Sequence, residues 1–152
     1  MCYQETIKIM KILIKQIDPK LPKPQYHTSG SVAFDLVARI KIEIEPFKPT
    51  IIPLNVIIKI PKNYVLILAA RSSLPLKKNL MVANGIGIID QDYCGENDEI
   101  GLQVINFSKK NVVIDKGERI AQAMLVRIGK VSKFNFLKKA EKKSRGGFGS
   151  TG

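Results

Sequence analysis

A short stretch of the chain, Asn84 to Glu96, combines the residue types needed to bind a small planar ligand and to act on it. Gly87 lets a ligand approach the main chain closely, so that bare N–H and C=O groups can read a polar ring. Asn84 adds an amide with donors and acceptors, and Tyr93 adds a flat face with a hydroxyl. Asp90 lies between them and is the candidate general base.

The same stretch has a less specific interpretation. Ile86, Ile88 and Ile89 favour extended backbone, so the stretch is predicted to form a hairpin. An ordinary buried hairpin with a polar turn has the same pattern, and a lone Gly-x-Gly followed by aspartate would favour that alternative. Other motifs in the chain must therefore decide between a binding hairpin and a structural one.

A second segment, Arg71-Ser72-Ser73, is predicted to bind an anion. A strand ends here, and Ser72 or Ser73 is expected to cap a short helix with Pro75 in its first turn. Unpaired amides, two hydroxyls and the Arg71 guanidinium would then converge on a phosphate group. The alternative is an N-cap beside a surface arginine.

The final segment is rich in glycine, as phosphate-binding loops are: Arg145-Gly146-Gly147-Phe148-Gly149-Ser150-Thr151-Gly152. A Walker or Rossmann loop needs a strand before it and a helix after it, and no helix follows here, which excludes both. The segment would serve a ligand by folding over it as a lid. Phe148 would stack on a flat base, while Arg145, Ser150 and Thr151 would supply donors to phosphate.

These segments resemble motifs of the homotrimeric dUTP pyrophosphatases (dUTPases), and they occur along the chain in the same order as in that family. The stretch from Asn84 resembles the third motif, Arg71-Ser72-Ser73-Leu74 the second and the glycine-rich end the fifth. Two further segments are similar to the first and fourth motifs, the latter residue for residue: Val32-Ala33-Phe34-Asp35-Leu36-Val37-Ala38 and Gly117-Glu118-Arg119-Ile120-Ala121-Gln122. Five motifs in the family's order are far more specific than any one of them.

The resemblance implies hydrolysis of dUTP to dUMP and pyrophosphate, with magnesium (Mg2+), in a homotrimer whose sites are shared between subunits. Asp90 would activate the water, and Tyr93 would pack on the deoxyribose. Asp35 would contact water around a triphosphate-bound magnesium ion, and Arg119 would pair with carboxylates near a subunit boundary. The other residues expected at the substrate are Arg71, Ser72, Ser73, Asn84, Gly87, Ile88, Ile89, Gln122, Arg145, Phe148, Gly149, Ser150 and Thr151.

The chain departs from the family pattern at four places. Ala33 and Pro75 replace a more common glycine and alanine, and the spacing from Arg145 to Phe148 is two residues shorter than usual. The segment Asn97-Asp98-Glu99 is inserted where the family usually passes straight into the next strand. We expect this insertion to lengthen one arm of a hairpin.

The elements that must position these motifs are predicted to be short strands. Runs rich in valine and isoleucine alternate with turn signals, and prolines cluster between the runs, which favours an all-β distorted barrel, or jelly roll, with one short helix after Arg71-Ser72-Ser73. The predicted strands are Ile7–Ile17, Val32–Ala38, Ile40–Ile44, Ile51–Ile60, Tyr64–Ala70, Ile100–Phe107, Val112–Ile114 and Ala121–Ile128. We expect a barrel domain over residues 1–129, followed by a basic tether and a flexible glycine-rich arm over residues 130–152.

Composition limits the other function classes. Lys plus Arg total 25 against 13 Asp plus Glu, a net charge of +12, and half of it lies between Lys130 and Arg145. That excess suits a triphosphate. Because few aromatics interleave with the charges, a nucleic-acid partner for the basic tail is not favoured, although the residues leave that alternative open. Two distant cysteines and no long apolar run predict a cytoplasmic protein without a membrane partner.

Two alternative functions stay open from the residues. A dCTP deaminase would share the fold, but its catalytic glutamate position holds Gln103 here and its second arginine position holds Leu76. A basic binding module with a degenerate nucleotide pocket is the other alternative. The single histidine, His27, lies in a proline-rich segment, so a Ser-His-Asp or Cys-His arrangement is not expected.

Overall fold

The structure, a computed structural model, describes residues 10–144, 146 and 147. It contains eleven short strands and one helix within those residues. They are β1 (Leu13–Gln16), β2 (Phe34–Val37), β3 (Ile42–Ile44), β4 (Thr50–Pro53), β5 (Val56–Lys59), β6 (Tyr64–Ala70), α1 (Ser73–Lys78), β7 (Leu80–Val82), β8 (Gly87–Ile89), β9 (Gly101–Asn106), β10 (Val112–Ile114) and β11 (Arg119–Arg127).

All the strand pairs are antiparallel, and they form four small sheets. The largest has the order β2-β11-β6-β8, and a three-stranded sheet has the order β4-β9-β7. The pairs β1-β5 and β10-β3 complete the set. The prediction of an all-β chain with one short helix is therefore confirmed.

The sheets enclose one hydrophobic core. Along β6, Leu66 and Leu68 are fully buried while their neighbours Val65 and Ile67 are only partly covered, because successive side chains point to opposite faces of a strand. The core is aliphatic in character, as the largest fully buried side chains show: Leu36, Ile44, Ile52, Leu54, Ile58, Leu66, Leu68, Leu80, Ile100, Leu102, Ile114 and Ile120.

Several predicted boundaries were wrong. The run Ile51–Ile60 forms two strands, since the backbone turns at Asn55, which has a left-handed φ of 66°. Uniform apolar character hides such a break, because the turn residue is itself buried. Of the predicted strand Ile7–Ile17, only Leu13–Gln16 is a strand within the described residues, and β7 was not predicted.

The helix begins where it was predicted to begin, with Pro75 in its first turn. Its expected side-chain cap is absent: Ser72 occupies the N-cap position in a helical conformation and makes no capping hydrogen bond with its side chain. Asn79 ends the helix in a left-handed conformation, and its N–H donates to the Pro75 carbonyl. The Ser72 hydroxyl thus remains available for another partner.

Candidate active site

A first cleft, which we call the nucleoside cleft, lies between β8, β9 and the loop that joins them. It has a volume of about 260 Å³, and part of its lining comes from residues outside the motifs, including Glu99 and Gln103. Five residues predicted at the substrate line it: Asn84, Gly87, Ile88, Ile89 and Tyr93. The structure therefore brings the predicted substrate-binding members of the third motif together.

The segment that carries these residues differs from the predicted hairpin. It turns back on itself at Gly85, whose φ is +81°, but β7 pairs with β9 while β8 pairs with β6. β8 is consequently an edge strand with no partner on its outer side in the described part of the chain. Unpaired backbone N–H and C=O groups along such an edge can hydrogen-bond a planar polar ring.

Gly87 has a packing role that the sequence did not reveal. A Cβ at this position would lie 2.9 Å from the Cβ of Leu68, which is buried and faces Gly87 across the β6–β8 pair. The absence of a side chain at Gly87 thus allows β8 to pack closely against Leu68 in the core. Close approach of a ligand to the β8 backbone follows from the same geometry.

Asp90 follows β8 directly and has an exposed carboxylate. It lines a neighbouring cleft of about 490 Å³ with Tyr64, Asp92 and Lys130, and this cleft shares Ile89 with the nucleoside cleft. Among the described residues the Asp90 side chain forms no ion pair or hydrogen bond. An unpaired carboxylate beside the nucleoside cleft is free to accept a proton from water.

A second group of predicted residues lines the anion cleft, a depression of about 230 Å³ at the opposite edge of the four-stranded sheet. Asp35 on β2 is its centre, and only 11% of this side chain is exposed. Its Oδ2 atom lies 3.1 Å from Nε of Arg71 and 3.4 Å from Nη1 of Arg119. Two guanidinium groups around one carboxylate leave a net positive charge, which suits an anionic ligand.

Gln122 and Ser72 also line the anion cleft. The Gln122 side chain donates one N–H to the carbonyl of Ala70 at 2.9 Å, which fixes its amide and leaves its second N–H for a ligand. Ser73 lines an adjoining depression with Arg71 and Arg119. The predicted members of the first, second and fourth motifs thus lie together, and this group is separate from the members of the third motif.

The prediction that Arg119 pairs with a carboxylate is confirmed by its contact with Asp35. The nearby Glu118 stabilises a turn instead: its Oε2 accepts from the N–H of Asp115 at 3.0 Å, and its Oε1 lies 3.1 Å from Nζ of Lys78. Whether Arg119 lies at a subunit boundary stays a prediction. The predicted lid residues, Arg145, Phe148, Gly149, Ser150 and Thr151, lie outside the described residues.

Two participants in these clefts were missed in the sequence analysis. His27 was not expected to belong to a Ser-His-Asp or Cys-His arrangement, and no other role was predicted for it. In the structure its Nε2 lies 3.2 Å from Oδ2 of Asp35 and 2.9 Å from Nη1 of Arg119. Glu99, at the end of the insertion, lines the nucleoside cleft and pairs with Arg39. No local signal identifies an ion pair between residues 60 positions apart.

The insertion itself does not lengthen a hairpin arm. β8 ends at Ile89 and β9 begins at Gly101, so Asn97-Asp98-Glu99 belongs to the loop between them. Asp98 closes this loop, since its Oδ2 accepts from the N–H of Gly95 at 2.6 Å. An aspartate that satisfies a nearby amide favours a turn over a strand, and this competes with strand pairing.

An all-β chain with an edge-strand cleft, an adjacent free carboxylate and a cationic cleft has the site chemistry of a nucleotide hydrolase. A family model for dUTPase matches residues 20–152. A deoxyuridine 5'-triphosphate nucleotidohydrolase from Dictyoglomus turgidum is 37% identical over 150 residues, covering 95% of this chain and 99% of the relative. One from Hydrogenobaculum sp. is 39% identical over 145 residues, with 94% and 99% covered.

Solved structures agree with this class. The crystal structure of dUTPase from Streptococcus mutans matches with a TM-score of 0.72 and 28% identity, covering 79% of this chain and 98% of that one. The Staphylococcus bacteriophage 80alpha dUTPase with dUpNHpp has the same fold at a TM-score of 0.77 and 23% identity, covering 93% of this chain and 98% of that one.

The chain belongs to the dUTPase family. It is accordingly a hydrolase of nucleotide metabolism that acts on dUTP, and its jelly-roll fold is that of its structural neighbours. Neither the deaminase nor the degenerate binding module is favoured. No helix within residues 10–144, 146 and 147 is long and apolar enough to cross a membrane.

Proposed function

We propose that Asp90 is the general base of dUTP hydrolysis. The observation that carries this proposal is the exposed, unpaired Asp90 carboxylate directly after the edge strand of the nucleoside cleft. Asp90 takes a proton from water as its oxygen bonds to the α-phosphorus. The bond from the α-phosphorus to the oxygen that bridges to the β-phosphate breaks, which releases dUMP and pyrophosphate.

The nucleoside binds along β8 in this proposal. A uracil ring carries an N–H between two C=O groups, a pattern that alternating backbone groups on the free edge of β8 can meet. Gly87, Ile88 and Ile89 supply that backbone, and Asn84 supplies a side-chain amide. Tyr93, with 41% of its surface exposed at the cleft, packs against the deoxyribose and leaves no room for a 2′-hydroxyl.

The triphosphate binds in the anion cleft, near Arg71, Ser72, Ser73 and Gln122. The support is the net positive charge around Asp35 and the free Ser72 hydroxyl. Arg145, Ser150 and Thr151 add donors from the lid, while Phe148 stacks on the base and Gly149 permits the chain to wrap.

A divalent cation, magnesium, accompanies the triphosphate. In the described part of the chain no three His, Cys, Asp or Glu side chains lie close enough together to hold a metal ion. The donor set therefore fits a cation that is bound mainly by phosphate oxygens and water, with Asp35 in contact through water. When bound, the cation neutralises charge that develops on the phosphates.

The active enzyme is a homotrimer with sites shared between subunits. Within one chain the nucleoside cleft and the anion cleft lie apart from each other. β8 and β2 are opposite edges of a four-stranded sheet, so they lie roughly 14 Å apart at the usual strand spacing. The outer face of that sheet also carries Ile67, Met124 and Ile88 in register, with Ile88 exposed. Apolar side chains on an outer face suit a subunit contact, which would bring a nucleoside cleft to a partner's anion cleft.

Substrate turnover tests this assignment directly. Pyrophosphate release is measured across dUTP, UTP, dTTP and dCTP, and we expect strong preference for dUTP, because both the ribose hydroxyl and the 5-methyl group meet occupied space. Comparable kcat/KM values for dTTP would contradict the proposed cleft. Release of ammonia from dCTP would identify the deaminase alternative instead.

The cellular setting stays a prediction from the sequence. A cytoplasmic enzyme would keep dUTP low and supply dUMP for thymidylate synthesis. Within the chain, we propose a barrel domain over residues 1–129 and a basic tether with the lid over residues 130–152.

A further inference from the structure

The loop that carries Asp90 and Tyr93 is fastened to the core through Glu99. The Arg39 guanidinium donates to both carboxylate oxygens, Nε to Oε1 and Nη2 to Oε2, each at 2.8 Å. The N–H of Asn55 also donates to Oε1, at 2.8 Å. Only 16% of the Glu99 side chain is exposed, so solvent screens this paired arrangement weakly.

The anchoring groups are themselves well fixed. The Arg39 N–H donates to the carbonyl of Pro53 at 2.8 Å, which ties the β2–β3 connection to β4. Asn55 is 1% exposed, and its side-chain amide binds both backbone groups of Asp18. Hydrogen bonding to Glu99 raises the pKa of Arg39, so the guanidinium stays charged throughout the usable pH range.

The peptide group that follows Glu99 is held from both sides. Its N–H, which belongs to Ile100, donates to the carbonyl of Val56 at 2.9 Å. Because a peptide group is planar and trans, its C=O must point the opposite way. There it accepts a hydrogen bond from the Tyr93 hydroxyl at 3.2 Å. The position of Glu99 therefore decides where the Tyr93 hydroxyl can be held.

The hydrogen bond to the Glu99 carbonyl is the polar contact that orients the Tyr93 side chain in the described structure. The ring lies in the loop between β8 and β9, and its hydroxyl makes no other side-chain hydrogen bond to a residue within 10–144, 146 and 147. Both Tyr93 and Glu99 line the nucleoside cleft. A shift of the Glu99 carbonyl would move the flat face that contacts the sugar.

We propose that Arg39 and Glu99 are positioning residues that set the discrimination between deoxyribose and ribose by fixing the hydroxyl of Tyr93. This inference rests on the proposed packing of Tyr93 against the sugar. Glu99 and Arg39 both lie outside the five motifs, so the motifs alone do not describe this arrangement.

The test compares kcat and KM for dUTP and UTP in wild type, Arg39→Ala, Arg39→Lys, Tyr93→Phe and the Arg39→Ala/Tyr93→Phe double variant. We expect Arg39→Ala to lower the dUTP-to-UTP ratio of kcat/KM about tenfold, a size typical of a displaced specificity contact. Arg39→Lys keeps the charge but cannot form the two-pronged contact, so its ratio should be intermediate. Tyr93→Phe keeps the ring and removes the anchored hydroxyl, so its ratio should fall as in Arg39→Ala.

The double variant separates positioning from general weakening. If Arg39 acts through the Tyr93 hydroxyl, the double variant loses no more discrimination than the larger single change, whereas independent effects would multiply. Lys116→Ala is the matched control, because it removes another ion pair, to Asp18 at 2.6 Å, on the far side of Asn55. That control should keep the wild-type ratio.

A folded Arg39→Ala variant with the wild-type ratio, or single effects that multiply, would overturn the inference. Should Arg39→Ala fail to fold, Arg39→Lys and its double variant with Tyr93→Phe decide by the same two criteria. Failure of the proposed function looks different, because wild-type enzyme would then hydrolyse dUTP no better than UTP.

Discussion

At the residue scale, our proposal assigns the chemistry to one carboxylate, Asp90, whose surroundings leave it free. Asp35 and Glu99 are each paired with arginine, whereas Asp90 is exposed and unpaired among the described residues. A paired carboxylate holds its partner in place, and a free one can exchange protons with water. In our proposal, carboxylates thus divide between structure and catalysis according to their neighbours.

We predict that Asp90→Asn lowers kcat by roughly 10²–10⁴-fold, the usual contribution of a general base. Binding should persist, because the amide keeps the shape of the side chain. Pyrophosphate release measures the first effect, and calorimetry with a non-hydrolysable dUTP analogue measures the second. Asp92→Asn is the matched control, since Asp92 is an exposed carboxylate on the same cleft. Retained turnover in Asp90→Asn would assign the base elsewhere.

At the scale of the elements, short strands place the site residues, and two residues, Gly87 and Asn55, control how those strands pack and where they end. β8 is held against β6 by three residue pairs, and at Gly87 an added Cβ would lie 2.9 Å from the Cβ of Leu68. Asn55 ends β4 and starts β5 from a buried position. The effects of Gly87 and Asn55 depend on packing against distant segments, which the local sequence does not predict.

We predict that Gly87→Ala destabilises the protein by about 1–3 kcal/mol, because the new methyl group would overlap buried Leu68. Gly129→Ala is the control, since nothing lies within 4 Å of a Cβ at that position. Denaturant unfolding at one fixed protein concentration measures both, because subunit association also contributes to stability. Equal stability of the two variants would show that β8 moves freely away from β6.

We predict that Asn55→Ala destabilises the protein by about 2–4 kcal/mol, because it removes two hydrogen bonds to the Asp18 backbone and strains a left-handed residue. Asn63→Ala is a matched control, as Asn63 has a φ of 68° and is exposed. Unfolding curves separate the two contributions. If both variants lose the same stability, the buried amide contributes nothing beyond backbone conformation.

At the scale of the whole molecule, the separation of the clefts makes assembly a condition of activity in our proposal. The nucleoside cleft and the anion cleft lie at opposite edges of one sheet. The proposed lid would follow a lysine-rich segment that charge repulsion would extend. In the proposed trimer, a partner subunit can bring its anion cleft and a lid to the nucleoside cleft. The net charge of +12 also attracts a triphosphate.

We predict that two inactive proteins, Asp90→Asn and a truncation before Arg145, regain activity when they are unfolded and refolded together. In a 1:1 random mixture, about a quarter of the sites receive an intact Asp90 from one chain and an intact lid from another. Each protein refolded alone is the control. Mixed trimers confirmed by mass spectrometry without recovered activity would show that the lid closes on its own chain.

The sequence by itself determined the fold class, the helix after Arg71 and the grouping of Asn84, Gly87 and Tyr93, because strand patterns and short motifs are local. Only the tertiary structure decided that Asp35 is enclosed by two arginines and that Glu99 is bound by Arg39 and Asn55. These contacts join residues 36 to 84 positions apart, so local pattern carries no trace of them. The break at Asn55 was hidden for the same reason, since burial by distant segments decides which residue of an apolar run can turn.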